Sequence, residues 1–236
     1  MVGGGISGLV FSPLAAARAV LSRAQKELGV VLIDIGFGKT GISIYEENKL
    51  VHAAVMPIGS GNVTNDLAVG MKCSVAVAEM VKFSFGSALA KEVAARELVD
   101  LRKIDPTAKG TVTRRLIAEV IEARLAEIME FVDGELKRFG RTRKLPAGAI
   151  IVGGGAKVPG IVELARQELH LSAQVGIPDM SAIELVGSDL HIQVEDPEFT
   201  TAIGLIQIGS DKLNTRIVKP TRAGGFFRNL FKYFIP

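Results

Sequence analysis

The first part of the chain begins with a helical segment and continues into a compact group of strands. Residues 13–28 have helical composition and end at a glycine, as many helices do. The apolar, β-branched run at 30–34 predicts a buried strand. Residues 42–45 and 50–58 predict two further strands. The three strands are expected to form an antiparallel meander, and its first turn, residues 36–41, is rich in glycine.

The middle of the chain has mainly helical patterning. Residues 66–103 and 113–139 both predict helices, and apolar side chains recur at helical spacing in the second, so one of its faces is expected to be buried. Residues 59–65 predict a further turn that contains Gly59 and Gly61, and residues 99–111 predict a small strand-and-turn segment. Long helices between strands indicate an inserted helical subdomain rather than a loop.

The pattern then returns to a strand, a glycine run and a helix. Residues 149–152 predict a buried strand, 153–155 are three glycines, and 158–170 predict a helix. Another strand is expected at 173–177 and the last helix of the core at 199–208. This order closes one α/β layer around a single core.

Composition excludes several classes of protein. A chain with 48% hydrophobic and 22% charged residues is not predicted to be disordered. The net charge of +3 comes without a basic stripe along the body, so no nucleic-acid partner is predicted. Cys73 is the only cysteine, which fits a reducing compartment, and the three scattered histidines indicate no metal site. The sequence has neither a secretory signal pattern nor an apolar run long enough to span a bilayer.

Two glycine-containing turns carry the candidate chemistry. Backbone N–H groups at Gly36 and Gly38 can approach a phosphate, and a carboxylate at a strand end, Asp34, can hold a metal-bound water beside it. The glycines at 153–155 let a flat ring or a phosphate lie against the backbone near a helix start. Each turn alone also fits a structural role, as a hairpin turn or as tight strand-to-helix packing. The two in this order, separated by a helical insertion, are more specific.

This layout resembles the superfamily of actin, the sugar kinases and the chaperone ATPases. Residues 34–45 (DIGFGKTGISIY) resemble its second phosphate loop, and residues 150–161 (IIVGGGAKVPGI) its adenosine loop. Residues 78–82 (AEMVK) resemble the helical pair whose Glu and Lys reach ribose and adenine, although such an i, i+3 pair is more often a solvated ion pair. The resemblance implies an α/β, ribonuclease H-like lobe of the actin-like ATPase fold that binds ATP with Mg²⁺. The nucleotide-binding residues it implies are Asp34, Gly36, Gly38, Lys39, Thr40, Glu79, Lys82, Gly153, Gly154 and Gly155.

Within that superfamily the chain resembles the bacterial division protein family FtsA. Residues 12–15 (SPLA), 27–30 (ELGV), 52–59 (HAAVMPIG) and 63–68 (VTNDLA) carry the likeness. It implies a peripheral protein at the division site that links the ring of tubulin-like FtsZ to the cytoplasmic face of the membrane and that can self-associate. The resemblance covers nearly all of this chain but only a little over half of a typical FtsA, without the first phosphate loop and most of the other lobe.

The first turn departs from the family pattern at three positions. Phe37 replaces a glycine and puts bulk where backbone approaches phosphate, and Gly41 replaces an acid. Lys39 replaces a threonine and offers a point charge to an anion. We therefore expect ATP binding with Mg²⁺ to be weak or lost, and we expect no measurable ATPase and no catalytic residue in this chain.

The end of the chain differs from its body. Residues 211–225 are polar and basic and predict a flexible linker, and 226–236 predict an amphipathic helix that lies on an anionic membrane surface. The alternative is a terminal helix docked on its own core. FtsA-like proteins are expected to end in a membrane-targeting helix. The membrane-binding residues would be Phe226, Phe227, Arg228, Leu230, Phe231, Lys232 and Phe234.

These expectations define four regions and leave other functions open. Residues 1–28 would be a connecting helix from the other lobe, and 29–210 the nucleotide-binding lobe, with a helical insertion at about 73–146. The linker and the terminal helix follow. Alternative functions are a free-standing sugar or acetate kinase relative, which needs two complete lobes, a pilus-assembly scaffold of the PilM type, and a truncated FtsA fragment without independent function.

Overall fold

A five-stranded mixed sheet forms the centre of the computed structural model, which describes residues 6, 8–106, 108, 110–181, 183 and 195–217. The strands are β1 (Val30–Ile35), β2 (Thr40–Glu46), β3 (Lys49–Met56), β4 (Leu98–Asp100), β5 (Thr111–Thr113), β6 (Ala149–Val152) and β7 (Ala173–Val175). The sheet order is β3-β2-β1-β6-β7, and β4 and β5 form a separate hairpin. The predicted antiparallel meander of β1, β2 and β3 is confirmed, whereas β6 and β7 run parallel to β1.

Helices cover both faces of the sheet. They are α1 (Ser12–Val20), α2 (Arg23–Leu28), α3 (Ser60–Met71), α4 (Val75–Phe85), α5 (Arg114–Arg138), α6 (Ile161–Leu169) and α7 (Thr200–Ile217). α1 covers one face and α7 packs on α1, while α3, α4, α5 and α6 form a layer on the other face. Single 3₁₀ turns at Ala90–Glu92, Leu101–Lys103, Gly154–Lys157 and Pro197–Phe199 join these elements.

β1 is buried on both faces, which explains its unbroken apolar run. Successive side chains of a strand point to opposite faces, so Val30 and Leu32 face α1 while Val31 and Ile33 face the helical layer. Asp34 has the same parity as Leu32 and is the one polar side chain of the strand. A carboxylate therefore lies at the end of the α1 side of the sheet.

Two helix boundaries near the first strands differ from the prediction. Residues 13–28 form two helices, because Ser22 caps a new helix: its hydroxyl accepts a hydrogen bond from Gln25 N at 3.2 Å, and Ser22 N donates to Gln25 Oε1 at 2.9 Å. Residues 59–65, predicted to be a turn, are instead the start of α3. Gly59 precedes this helix, and its N–H donates to Asn62 Oδ1 at 3.0 Å.

The helical middle of the chain is more divided than its pattern indicated. Lys72 adopts a left-handed conformation that ends α3, and Ser74 caps α4 by accepting from Val77 N at 3.3 Å. After α4 the chain becomes extended and forms the β4–β5 hairpin, so the prediction of one helical stretch to residue 103 was wrong. The strand-and-turn segment predicted at 99–111 and the helix predicted at 113–139 are confirmed.

The helix predicted at 158–170 begins later, at Ile161, after a 3₁₀ turn, and the last helix is longer than predicted. α7 continues to Ile217, past the expected end at 208 and into the expected linker. Residues 218–236, and with them the whole amphipathic segment at 226–236, lie outside the described residues. Within the described part of the chain, no helix combines the length and the apolar character that a membrane crossing requires.

Candidate functional site

A cleft of about 480 Å³ opens where β1 and β6 end side by side. The carboxyl ends of parallel neighbours meet at the same edge of a sheet, and ligands of α/β proteins commonly bind there. Seven of the ten predicted nucleotide-binding residues line this cleft: Asp34, Gly36, Lys39, Glu79, Lys82, Gly153 and Gly154. A larger cavity of about 830 Å³ lies between α4 and the β4–β5 hairpin, but it contains neither glycine turn.

The first turn, residues 36–39, is held by its own backbone and by the start of α3. Gly36 N donates to Lys39 O at 2.9 Å and closes the turn. Ser60 N donates to Gly36 O at 2.9 Å, and Gly61 N donates to Phe37 O at 2.7 Å. The first amides of α3 are therefore engaged by carbonyls of the turn, while the side chains of Phe37 and Lys39 are exposed at the cleft.

Asp34 is the carboxylate at the end of β1. Thr201 Oγ1, at the start of α7, donates to Asp34 Oδ2 at 3.0 Å. Burial raises the pKa of the Asp34 carboxyl, and the hydrogen bond from Thr201 and the charge of Lys39 oppose that rise without cancelling it. Asp34 thus binds its proton more tightly than an exposed aspartate does.

Glu79 and Lys82 belong to a polar cluster in the wall of the cleft. Lys82 Nζ lies 2.9 Å from Glu79 Oε2 and also donates to Thr64 Oγ1 at 2.9 Å and to Ser60 O at 3.3 Å. The hydroxyl of Thr64 donates in turn to Glu79. The Lys82 side chain is 7% exposed and the Glu79 side chain 30%, so this is not a solvated surface pair. The cluster holds Glu79 at the cleft wall.

The second turn, residues 153–157, packs directly on the end of β1. Gly153 has a φ of 83°, and a Cβ there would lie 2.5 Å from Asp34 Oδ1. A Cβ at Gly155 would lie 2.4 Å from Ile35 Cγ2, whereas one at Gly154 would meet no atom within 4 Å. Gly154 is therefore the glycine of this run that leaves space for a ligand.

Lys157 ties the second turn to the segment before α7. Its Nζ lies 2.6 Å from Asp196 Oδ2 and 3.5 Å from Glu198 Oε2. The hydrogen bond with Asp196 raises the pKa of Lys157, since it favours the charged ammonium. Gly153 N also donates to Pro197 O at 2.9 Å, so the segment just before α7 is fixed against the second turn.

Three predicted residues lie outside the cleft lining. Thr40 is fully buried, and its hydroxyl donates to Ile58 O at 2.8 Å, so it joins β2 to the segment before α3. Gly38 is exposed with no atom within 4 Å of a built Cβ, and Gly155 packs on Ile35.

Several residues of the cleft were not predicted from the sequence. Lys157 and Val158 follow the glycine run directly, and their position beside it was a usable signal. Ser12, Ser60, Phe83, Glu198 and Thr201 come from distant segments. Thr201 is 167 positions from Asp34, and local patterning contains no signal for that contact.

The carboxylates of the cleft do not fit a magnesium site. Mg²⁺ takes hard oxygen ligands in a nearly octahedral arrangement. Asp34 is engaged by Thr201, Glu79 by Lys82 and Glu198 by Lys157. Among the described residues there is no group of three or more His, Cys, Asp or Glu that could hold a metal ion.

The position opposite Asp34 does not add a second acid. Gly41 pairs with Asp34 across the β1–β2 ladder, and a Cβ at Gly41 would lie 3.0 Å from Pro13 Cγ in α1. A side chain at this position would therefore lie in tight contact with α1.

Comparison with solved structures shows the fold. The chain superimposes on MreB5 of Spiroplasma citri bound to AMPPNP with a TM-score of 0.66 at 17% identity, covering 87% of this chain and 60% of that one. A PilM–PilN type IV pilus biogenesis complex gives a TM-score of 0.60 at 19% identity, covering 86% and 53%. Likeness at these identities concerns the fold alone, and the α/β actin-like ATPase fold expected from the sequence is confirmed.

Comparison with curated sequences shows the family. The family model for cell division protein FtsA matches residues 31–204. Cell division protein FtsA of Bacillus subtilis (strain 168) is 38% identical over 202 residues, which cover 86% of this chain and 43% of that protein. The chain spans about half the length of the curated relatives it matches. From the sheet order, the paired glycine turns and this match, the chain belongs to the FtsA family of cell division proteins.

Proposed function

We propose that this chain contributes a half-site for an adenine nucleotide to an FtsA-type cell division protein. The observation that carries the proposal is the meeting of the two glycine turns at one edge of the sheet, with Gly154 open to the cleft. A volume of about 480 Å³ is within the range of small-ligand sites. The solved MreB5 of the same fold was bound to AMPPNP, which supports this class of ligand.

The parts of the cleft suggest separate roles for the two sides. On the side of the first turn, Lys39 offers positive charge to phosphates. The second turn offers a flat glycine backbone at Gly154, and Glu79, held by Lys82, faces it as an acceptor for ribose hydroxyls. We assign ATP as the ligand, bound weakly, since these contacts come from a chain that spans about half the length of its relatives.

Calorimetric titration of the whole chain with ATP tests this assignment. We expect a dissociation constant in the high-micromolar to millimolar range, about 4–6 kcal/mol of binding free energy. The Gly154→Ala variant adds one methyl to the open position and is expected to weaken binding, while Gly38→Ala, outside the lining, is the matched control. Submicromolar binding would contradict the proposal that this chain supplies only half of the site. Equal binding by both variants would show that the nucleotide does not lie at Gly154.

We propose further that the chain links the FtsZ ring to the cytoplasmic face of the membrane at the division site. Family membership supports the division role. The membrane contact rests on residues 226–236 of the sequence, where apolar side chains at i, i+3, i+4 and i+7 share a helical face. The division role and the membrane contact require separate experiments.

Sedimentation with anionic liposomes tests the membrane contact. The full chain is expected to bind, and a chain ending before Phe226 is expected to stay folded and unbound. Phe231→Glu should weaken binding more than Arg228→Ala, because it places an unpaired charge in the acyl boundary whereas the other change removes a screened attraction. Aggregation of the shortened chain would indicate a helix docked on its own core.

Addition of FtsZ filaments to the same liposomes tests the link. FtsZ is expected to sediment with liposomes only when the full chain is present. The shortened chain serves as the control, because it should bind FtsZ without bringing it to the membrane. If the shortened chain also brings FtsZ to the liposomes, the proposed role of the terminal segment as a tether is contradicted.

A further inference from the structure

The first turn presents a positive charge that is committed to no carboxylate. Lys39 Nζ lies 3.4 Å from Ser12 Oγ, and within the described ranges it forms no ion pair. The other two lysines of the cleft are engaged, Lys82 by Glu79 at 2.9 Å and Lys157 by Asp196 at 2.6 Å. Lys39 is therefore the lysine of the cleft that is free to meet an anion.

Among the residues that the structure describes, no other group at the first turn supplies positive charge to a phosphate. A helix start commonly does so through its unpaired amides. Here the first amides of α3 donate to the turn itself, Ser60 N to Gly36 O and Gly61 N to Phe37 O. The start of α3 therefore supports the turn instead of facing the cleft.

Few ligands for a divalent cation lie beside Asp34 at this turn. Asp34 accepts from Thr201, and the charge of Lys39 already acts on it. The ladder partner of Asp34 is Gly41, which supplies no second carboxylate. A cation beside Asp34 would have one carboxylate and would be repelled by the Lys39 ammonium.

We infer that the Lys39 ammonium takes the place of a divalent cation, so that the cleft binds adenine nucleotides in their metal-free form. The ammonium is a compact point charge with three N–H donors on a flexible stem, which suits contact with phosphate oxygens. The inference rests on the proposed nucleotide site. It makes Lys39 a specificity-determining residue whose effect is measured as metal independence.

Titration with ATP, once with magnesium and once with EDTA, tests the inference by ¹H–¹⁵N NMR with the amides of Gly36 and Gly154 as reporters. For the unaltered chain we expect the dissociation constant to differ by less than about threefold between the two conditions. Lys39→Met should weaken binding in EDTA by about tenfold or more.

Lys49→Met is the matched control, since it removes the same charge from the first residue of β3, where the side chain is 80% exposed. It should leave binding within about twofold. Both lysines are exposed, so circular dichroism should show folded variants.

Each other outcome overturns the inference in a distinguishable way. Binding with magnesium but not with EDTA overturns the role of Lys39 and leaves the nucleotide site in place. Equal losses in Lys39→Met and Lys49→Met show a general effect of net charge and also overturn it. If Lys39→Met binds ATP in EDTA as tightly as the unaltered chain, the inference is overturned as well. The absence of binding in both conditions overturns the nucleotide site and the inference together.

Discussion

The two glycine turns lie side by side in space but use their glycines for different reasons. At the first turn, the close approach is made from outside by Gly59, which precedes α3 and which, having no Cβ, lets Gly36 O and Phe37 O lie next to it. In the second turn, Gly153 and Gly155 are pressed against Asp34 and Ile35 of β1. Only Gly154 faces open space there.

This difference separates support from binding within one sequence motif. The glycines of a run such as 153–155 look equivalent in the sequence, yet Gly153 and Gly155 permit close packing and only Gly154 leaves open space beside the cleft. In the first turn the side chains of Phe37 and Lys39, not the glycines, define what meets a ligand. Substitutions can therefore lower stability or binding separately, and the following predictions are ordered by the size of the expected effect.

The largest loss of stability is expected from Gly153→Ala. An alanine at a φ of 83° is strained, and its Cβ would lie 2.5 Å from Asp34 Oδ1 and 2.6 Å from Ile35 O. We expect the free energy of unfolding to fall by about 3 kcal/mol. Urea denaturation measures it, with Gly154→Ala as the control that should change stability by no more than about 0.5 kcal/mol. Equal losses would show that the second turn packs as a unit.

A somewhat smaller loss is expected from Gly59→Ala. The backbone there is extended and unstrained, but a Cβ would lie 2.5 Å from Gly36 O and 2.6 Å from Phe37 O. The first turn would have to move away from α3, at a cost of about 2 kcal/mol. Thermal denaturation compares this variant with Gly38→Ala, whose added Cβ meets nothing within 4 Å. A stable Gly59→Ala protein would mean that the turn shifts without cost.

The largest loss of binding without loss of fold is expected from Gly154→Val. The isopropyl group would project into open space at the second turn, where the nucleotide is proposed to lie. We expect affinity for ATP to fall at least about tenfold. Calorimetry measures the affinity, and a denaturation curve of the same sample checks the fold. If this variant unfolds, Gly154 serves packing like its neighbours.

A pH-dependent gain in stability is expected from Asp34→Asn, at the contact between the turns. Burial raises the pKa of Asp34 above its ordinary 3.8, so the folded state holds the proton more tightly than the unfolded chain. Stability is therefore lost as pH rises from that value through the raised pKa. Asparagine avoids the loss, so the variant should be more stable at pH 7, by less than about 1 kcal/mol, and not below pH 3.8. Melting temperatures of the variant and the unaltered chain at pH 7 and below pH 3.8 test this difference.

The smallest expected effect is on hydrolysis. Neither turn places a second carboxylate or a base opposite Asp34, whose ladder partner is Gly41. Phosphate release from ATP by the purified chain should therefore equal that of its Asp34→Ala variant. A faster release by the unaltered chain would show that the described cleft supports turnover.

Local sequence patterns predicted the elements that depend on nearby residues. The apolar run of β1 and the spacing of buried side chains in α5 follow from the periods of strand and helix. They failed at 59–65, because Gly59 and Ser60 look like turn residues while their hydrogen bonds begin α3. They also failed at residues 13–28, where the Ser22 cap divides the helix.

The candidate site was predicted in the same uneven way. Asp34, Gly153 and Gly154 could be found from the sequence, because they lie at or just after the end of a buried strand, and the end of a strand is the edge of a sheet. Thr201 and Glu198 could not, because they reach the cleft through contacts with α1 and with the second turn, which are far away in the sequence. The spacing of Glu79 and Lys82, taken without the family resemblance, favoured a solvated surface pair. That interpretation was wrong, since α3 buries the lysine.

The sequence by itself determined the α/β class, the two turns and the residue types at the edge of the sheet, since these follow from short-range periodicity and from glycine. The tertiary structure alone decided which groups are free to act. It buried Lys82 and Thr40, packed Pro13 next to Gly41 and joined Asp34 to Thr201. Those decisions depend on contacts between segments far apart in the chain, and local propensity contains no information about them.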